Sequence, residues 1–544
     1  MVYLCQVGVR WFGIPPSFLE GVLLPVSCQQ ALVCVSVRYE PMIHKPMAHV
    51  PFRNKNNMAF FNRALELNTI KRSLSSTQAE LVIVYGRRGS GKSELLIQAI
   101  MDHRALYYQA TTELLPQQLA DLTDELRRVA GQQEVTVVGH LASLGDLFAA
   151  MTTLAQSVPQ HPFIVVIDEF PYLAEADPAT ETVMQKWWDS MYRATPNLKV
   201  FLAGSHVSWM REHTLSEHGP LQNRRTRQIE VSPLDYRHAA EFYPDWSSQD
   251  KIRAYAIWGG LPGYVHEINP ALGLWDNVSQ TLLDPNARLF AEPDWLRFTD
   301  LRADRLYTSL VRAMAMGKCT PGDIAKEVGR HSGADIFDPL NRLVDLGIVA
   351  RVNALITRRE RRSGSQYHIA DPFLAFWYRF IDSRRSMLRR GQANIALAQI
   401  KAELDDYIGR YVFEDICREW TWTGVQCGLL PSNLDIADVG SWWGGTKGEQ
   451  DEIDVVALSS RREAVVFGEC KWSNSPMDMR DLGGLRHAIE MSQKDLHPIM
   501  SPWRLCFSRS GFHPDLVAEA CHPENHIILI DPDRLYADSG SPKS

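Results

Sequence analysis

The chain has no run of eighteen or more apolar residues, whereas a bilayer-spanning helix needs about 20. Its most apolar stretch near the start, residues 21–37, is interrupted by Pro25, Ser27, Gln29 and Gln30. That stretch has no basic leader and no small-residue cleavage site, so it does not read as a signal peptide. The nine cysteines are scattered, with no C-x-x-C pair, which excludes a disulfide framework or a zinc ribbon as the organising device. No excess of positive charge is present either. A formal net charge of −7 and a pI near 6.2 give no global footprint for nucleic acid, so any such binding has to come from local basic surfaces. Internal repeats and low-complexity tracts are also lacking.

What is present is ordinary globular composition, 45% hydrophobic and 22% charged over 544 residues, enough for three or four domains of about 150 residues each. The sharpest local signal is Leu81–Ser93, LVIVYGRRGSGKS. An apolar β-prone run feeds Gly86-Arg87-Arg88-Gly89-Ser90-Gly91-Lys92-Ser93, and a helical pattern follows to Ile100. Strand, glycine-rich turn and helix in that order are the context a phosphate-binding loop requires. Its backbone N–H groups and the helix N-terminus attract phosphate oxygens. Lys92 is placed to reach the β- and γ-phosphates and Ser93 to ligate Mg²⁺. ATP and Mg²⁺ are therefore the expected cofactors.

A second apolar strand, Phe163–Ile167, runs into Asp168-Glu169. Asp168 is expected to hold Mg²⁺ through water and Glu169 to polarise the attacking water. Ser205 and His206 follow a further strand, Lys199–Ala203, where a γ-phosphate sensor or an ordinary strand cap would sit. Arg224 and Arg225 read either as a charge-stabilising finger or as a solvated basic turn. Strands alternating with helices predict a parallel sheet covered on both faces.

From about Ser232 the pattern turns helical, broken by Gly259-Gly260-Leu261-Pro262-Gly263-Tyr264. Helical patterns at Asp304–Met316, Pro321–Val328 and Ala334–Leu346 precede a hairpin pattern at Ile348–Ile356 and Gln366–Ile369. Its tip, 358–362, carries four arginines able to track a phosphate backbone. That succession predicts a winged helix–turn–helix.

The C-terminal stretch carries its own set of acids. Asp454 sits in the β-prone GEQDEIDVVAL, and Ala464–Phe467 continues into Gly468-Glu469-Cys470-Lys471-Trp472. Residues i and i+2 of a strand share a face, so Glu469 and Lys471 point together. Asp454 and Glu469, with the Cys470 carbonyl, offer hard oxygens to Mg²⁺. Glu414, in the helical YVFEDICREW, is a candidate further metal ligand, and Glu452 shares the face of Asp454. Lys471 would orient a metal-activated water. Trp442, Trp443 and Trp472 read as base-stacking or, more ordinarily, core aromatics.

Four stretches together resemble the archaeal-type ATPase family of the STAND/AAA-like branch: FFNRALEL before the loop, GRRGSGKS, IDEFPYL and GGLPGY. YHIADPFLAFWYRF at Tyr367–Phe380 matches the usual junction to a C-terminal domain of unknown function in that family. The resemblance implies an ATPase core whose helical lid brings Pro262 near the nucleotide, followed by a winged helix. The Asp454/Glu469/Lys471 pattern resembles the PD-(D/E)xK nucleases and implies a restriction-endonuclease-like α/β fold. The domain layout read from these signals is 1–50, an extension or a start misplaced upstream of Met47 or Met58; 51–231, P-loop ATPase; 232–299, lid; 300–370, winged helix; 371–409, helical connector; and 410–544, nuclease-like domain. The expected protein is cytoplasmic, since unpaired thiols and a need for ATP both point there. It couples ATP state to DNA through a Mg²⁺-dependent nuclease-like domain. An ATP-dependent switch whose downstream parts only bind DNA or protein is the competing reading. Self-association is left open.

Overall fold

The computed structural model describes residues 63–130, 139, 141–216, 219–299, 305–356, 364–446 and 449–537, all within the unit Met47–Ser544. The N-terminal extension and the arginine-rich tip at 358–362 lie outside the described residues.

Five strands build the first sheet: β1 Glu80–Tyr85, β2 Ala105–Gln109, β3 Phe163–Asp168, β4 Leu198–Gly204 and β5 Arg227–Glu230. They pair in parallel in the order β2-β3-β4-β1-β5. β1, β3 and β4 are buried along their whole length, which is why they read as continuous apolar runs rather than alternating ones. Successive side chains nevertheless serve opposite cores. Leu81, Ile83, Val165 and Ile167 pack under the helices Leu115–Val129, Leu144–Ser157 and Thr180–Met191. Val82, Val84, Ile164 and Val166 pack against Leu95, Leu96 and Ile100 of the helix after the phosphate loop. The strand β5 is not anticipated by the sequence pattern. Its four residues RQIE bury only Ile229, as suits a polar edge strand.

Helices Tyr236–Ala239, Ser248–Trp258, Pro262–Val265, Leu274–Val278 and Arg288–Thr299 follow the sheet. Next come helices Arg305–Ala315, Pro321–Glu327 and Phe337–Asp345, the last preceded by a 3₁₀ turn at Gly333–Ile336. A two-stranded antiparallel ladder, β6 Val349–Val352 with β7 Gln366–Ile369, closes that segment. Helices Ala393–Tyr411 and Phe413–Gly424 lead into a second sheet. Its strands are β8 Asp438–Thr446, β9 Glu449–Leu458, β10 Ala464–Lys471, β11 Pro498–Ser508 and β12 Ile527–Ile530, ordered β12-β11-β10-β9-β8. The β8, β9 and β10 pairings are antiparallel and those of β10, β11 and β12 parallel.

The chain thus has a parallel α/β core and a separate C-terminal sheet. A single buried cluster runs from Tyr236 through Leu310, Leu340, Trp377, Tyr407 and Trp420 to Phe507 and Leu535. The helices after residue 232 and the C-terminal sheet therefore share one hydrophobic interior.

Candidate functional site

The loop after β1 is shaped by its glycines. Gly89 and Gly91 have φ of 82° and 89°, a left-handed backbone that a Cβ would strain. A Cβ on Gly86 would strike the Val231 carbonyl. Gly91 caps helix Lys92–Ile100. Lys92 is buried, and its Nζ donates to the carbonyls of Gly86 and Arg87 at 2.8 and 3.1 Å. Burial holds its ammonium below the usual lysine range, with Glu169 and Asp168 opposing that shift. Ser90 Oγ is buried without a hydrogen-bond partner, an orphan that a ligand oxygen would satisfy. One unpartnered buried hydroxyl and a buried ammonium beside a glycine cradle fit a polyphosphate. Arg88 is exposed.

Asp168 ends β3 and faces the loop from two strands away, with β4 between. Ser93 Oγ donates to Asp168 Oδ2 at 2.6 Å. A serine that donates its proton to a carboxylate keeps its own lone pairs for a cation, so the pair fits Mg²⁺. Glu169 sits at φ 52°, ψ 43°, a conformation uncommon for a residue with a side chain. Its Oε2 accepts from the Ser205 N–H and Oγ–H at 3.0 and 2.9 Å. Ser205, directly after β4, thereby anchors Glu169 and does more than cap. His206 packs edge-on against Tyr172. Arg224 forms two bonds to Asp189, at 3.0 and 2.8 Å, and Arg225 donates to the carbonyls of Thr214, Leu215 and Gln222. Both of these arginines are engaged away from the phosphate loop.

Three further contacts reach the loop, of which only the approach of Pro262 was expected from the sequence. The Gly263 N–H donates to the Gly89 carbonyl at 3.0 Å, which lays Pro262 beside Gly91. Arg63 donates to the Ser90 carbonyl at 3.0 Å and to that of Ser232 at 2.7 Å. Arg87 pairs with Asp371 at 2.7 Å. Arg63 and Asp371 lie in two of the stretches that carry the family resemblance, FFNRALEL and YHIADPFLAFWYRF, but neither stretch indicated a contact to the loop.

In the second sheet, Asp454 of β9 and Glu469 of β10 are brought close, with Glu414 contributed by helix Phe413–Gly424. Burial and the Asp454 charge raise the carboxyls of Glu414 and Glu469 well above the usual range, and burial raises that of Asp454. Asp454 Oδ2 accepts from the Cys470 N–H at 2.8 Å. Arg418 donates to Glu414 at 3.2 Å and to the Asp454 carbonyl at 2.7 Å. Lys471 is drawn to Asp481, 2.5 Å away at the start of helix Met479–Leu496. Glu452 is exposed. Among the described residues no three His, Cys, Asp or Glu side chains converge tightly enough to hold a metal ion. Glu414, Asp454 and Glu469 feel each other's charge without forming a ready ligand set. Trp442 and Trp472 belong to the core: Trp442 packs with Val456 and Phe467, Trp472 against Phe413. Neither can stack on a base. Trp443 is half-buried.

Two protein families match this chain. Residues 60–268 match the ATPase domain predominantly from Archaea. The chain carries an archaeal-type ATPase domain. Residues 377–482 match a family of archaeal and bacterial proteins of unknown function, so this ATPase is joined to the C-terminal partner that the junction at Tyr367–Phe380 implied. An uncharacterized protein of Methanocaldococcus jannaschii is 28% identical over 416 residues, 76% of this chain and 88% of its own. The Walker-type ATPase of Pyrococcus abyssi is similar at 20% identity and a TM-score of 0.45, over 59% of this chain and 96% of that one. The ORC2 protein of Aeropyrum pernix, solved as ADPNP–ADP complexes, is similar at 13% identity and a TM-score of 0.39, over 65% and 98%. The matched domain is an ATPase domain, so the chain binds ATP and hydrolyses it. No described helix is long and apolar enough to cross a membrane.

Proposed function

We propose that ATP binding and hydrolysis at Gly86–Ser93, with Mg²⁺ held by Ser93 and Asp168, control a DNA-associated, Mg²⁺-dependent nuclease-like site at Asp454, Glu469 and Lys471. The observation that carries this reading is the crowding of Asp454 and Glu469 on adjacent strands with Glu414 from a helix, the carboxyls of Glu414 and Glu469 being raised by burial and by Asp454. Like charges held together out of water are costly unless a proton or a cation joins them. With Asp454, Glu469 and the Cys470 carbonyl supplying oxygens, a divalent cation is the partner that also has chemistry to offer a phosphodiester. The three helices and ladder at Arg305–Ile369 support duplex docking in the manner of a winged helix.

The Lys471–Asp481 contact favours the second reading, a switch without cleavage, because it draws the lysine toward an acid rather than a substrate. One comparison separates the two. The wild-type chain, Lys92→Ala and Glu469→Ala are each assayed for ATP turnover and for Mg²⁺-dependent cleavage of duplex and single-stranded DNA. Cleavage abolished by Glu469→Ala establishes the nuclease; ATP turnover with intact DNA in every lane leaves the switch.

A further inference from the structure

Tyr107 is part of no motif in the sequence, yet its hydroxyl donates to Asp168 Oδ2 at 2.6 Å inside the protein. It stands on β2 opposite Val166 of β3 in parallel register, so it shares the sheet face of Val166 and Asp168. Its ring is buried with Val166, Leu95 and Leu96, which fixes its orientation. The Asp168 carboxylate therefore receives three donors: Ser93 Oγ and Tyr107 Oη on Oδ2, and the Glu169 N–H on Oδ1 at 3.0 Å. Each carboxylate oxygen offers about two acceptor positions. Both on Oδ2 are occupied, and one remains on Oδ1.

We propose that Tyr107 is a positioning residue of the ATPase site, holding Asp168 so that its carboxylate takes the Ser93 proton and meets Mg²⁺ only through the remaining Oδ1 position. The inference rests on the assignment of Mg²⁺ to Ser93 and Asp168 made above. A carboxylate fixed on both oxygens cannot swing to bind the metal directly, and the Ser93 oxygen is left to the cation. Partners that orient a ligand in this way typically change metal affinity by about 10–100-fold when removed. A core tyrosine that merely finds an acceptor would not discriminate between metal-bound and metal-free nucleotide.

The test is equilibrium binding of a fluorescent ADP analogue to the full-length chain, with Mg²⁺ and with EDTA. Variants are Tyr107→Phe, Asp168→Asn and the double variant, with a thermal melt of each. Tyr107→Phe keeps the ring and the packing. Expected is about a tenfold loss of the Mg²⁺-dependent tightening, unchanged binding in EDTA, and no further loss when Tyr107→Phe is added to Asp168→Asn. Equal weakening with and without Mg²⁺, or losses that add in the double variant, would overturn the role of Tyr107 and leave a packing effect. An Asp168→Asn protein that keeps full Mg²⁺-dependent tightening would instead overturn the metal assignment beneath it.

Discussion

Arg87, the second residue of the phosphate loop, is bonded at 2.7 Å to Asp371, 284 positions downstream. Asp371 is buried, and its other oxygen caps the Phe373 N–H at 2.9 Å. The same loop carbonyls that hold Lys92 include that of Arg87. A change in the Lys92 contacts on nucleotide binding therefore bears on the residue that grips Asp371.

Asp371→Asn keeps an oxygen for the Phe373 cap but removes the charge opposite Arg87. Solvent-exposed pairs are worth about 0–1 kcal/mol, whereas this one is sheltered, with side-chain exposures of 14% and 4%. A loss of about 1.5–3 kcal/mol is expected on denaturant unfolding. Hydrogen exchange over residues 371–381 should respond to ATP in the wild type and not in Arg87→Ala; an unchanged response would remove the link.

Lys92→Ala should reduce ATP turnover by about 10²–10³-fold with little change in the melt. Its hydrogen bonds go to the loop's own carbonyls and to no other element. Turnover near the wild-type rate would contradict the assignment of the loop.

Glu469→Gln should stabilise the metal-free protein at alkaline pH. The Glu469 carboxyl is raised by burial and then by Asp454, Asp481, Glu452 and Glu414. The folded chain therefore retains a proton that the unfolded chain releases above about 4.3, and stability declines as pH rises through the raised value. Glutamine cannot ionise and escapes this decline. In EDTA at pH 8 the variant should melt about 2–4 °C above the wild type, and the gap should close near pH 4. A gap independent of pH would assign the effect to packing.

Gly260→Ala should destabilise the packing of helix Ser248–Trp258 and the turn after it against the segment at Leu234. The Leu234 N–H donates to the Gly260 carbonyl at 2.8 Å, and a Cβ on Gly260 would lie on the Leu234 carbonyl. The backbone has to part there, at a cost of about 1–3 kcal/mol, with weaker nucleotide binding as the Gly263–Gly89 bond loosens. Wild-type stability would show that the two segments separate freely.

The loop at Gly86–Ser93 and the acids after β3 were legible because each is a local pattern: strand, turn, helix, and strand followed by acid. The strand β5 was not, since RQIE has the polarity of a loop and becomes a strand only by pairing with β1. Tyr107 and Asp371 were invisible for a different reason. Their partners are set by strand register and by tertiary docking, neither of which leaves a spacing in the sequence. Asp481 carried a partial signal. Asp478 and Asp481 form a capping box that marks a helix start, but the attraction to Lys471 depends on where that helix lands against β10. The acids Asp454 and Glu469 were placed on neighbouring strands by their β-prone context. Their buried, mutually repelling state follows from packing that no motif records.

The shared interior from Tyr236 to Leu535 has a mechanical consequence for Asp371. Close-packed cores resist local deformation, so Asp371 cannot yield alone; Phe373, Leu374 and Phe376 beside it are embedded in that interior. A displacement at Arg87 is met by one stiff block that includes the second sheet. Whatever reaches Asp371 from the phosphate loop is thus borne jointly by residues as far along the chain as Phe507 and Leu535.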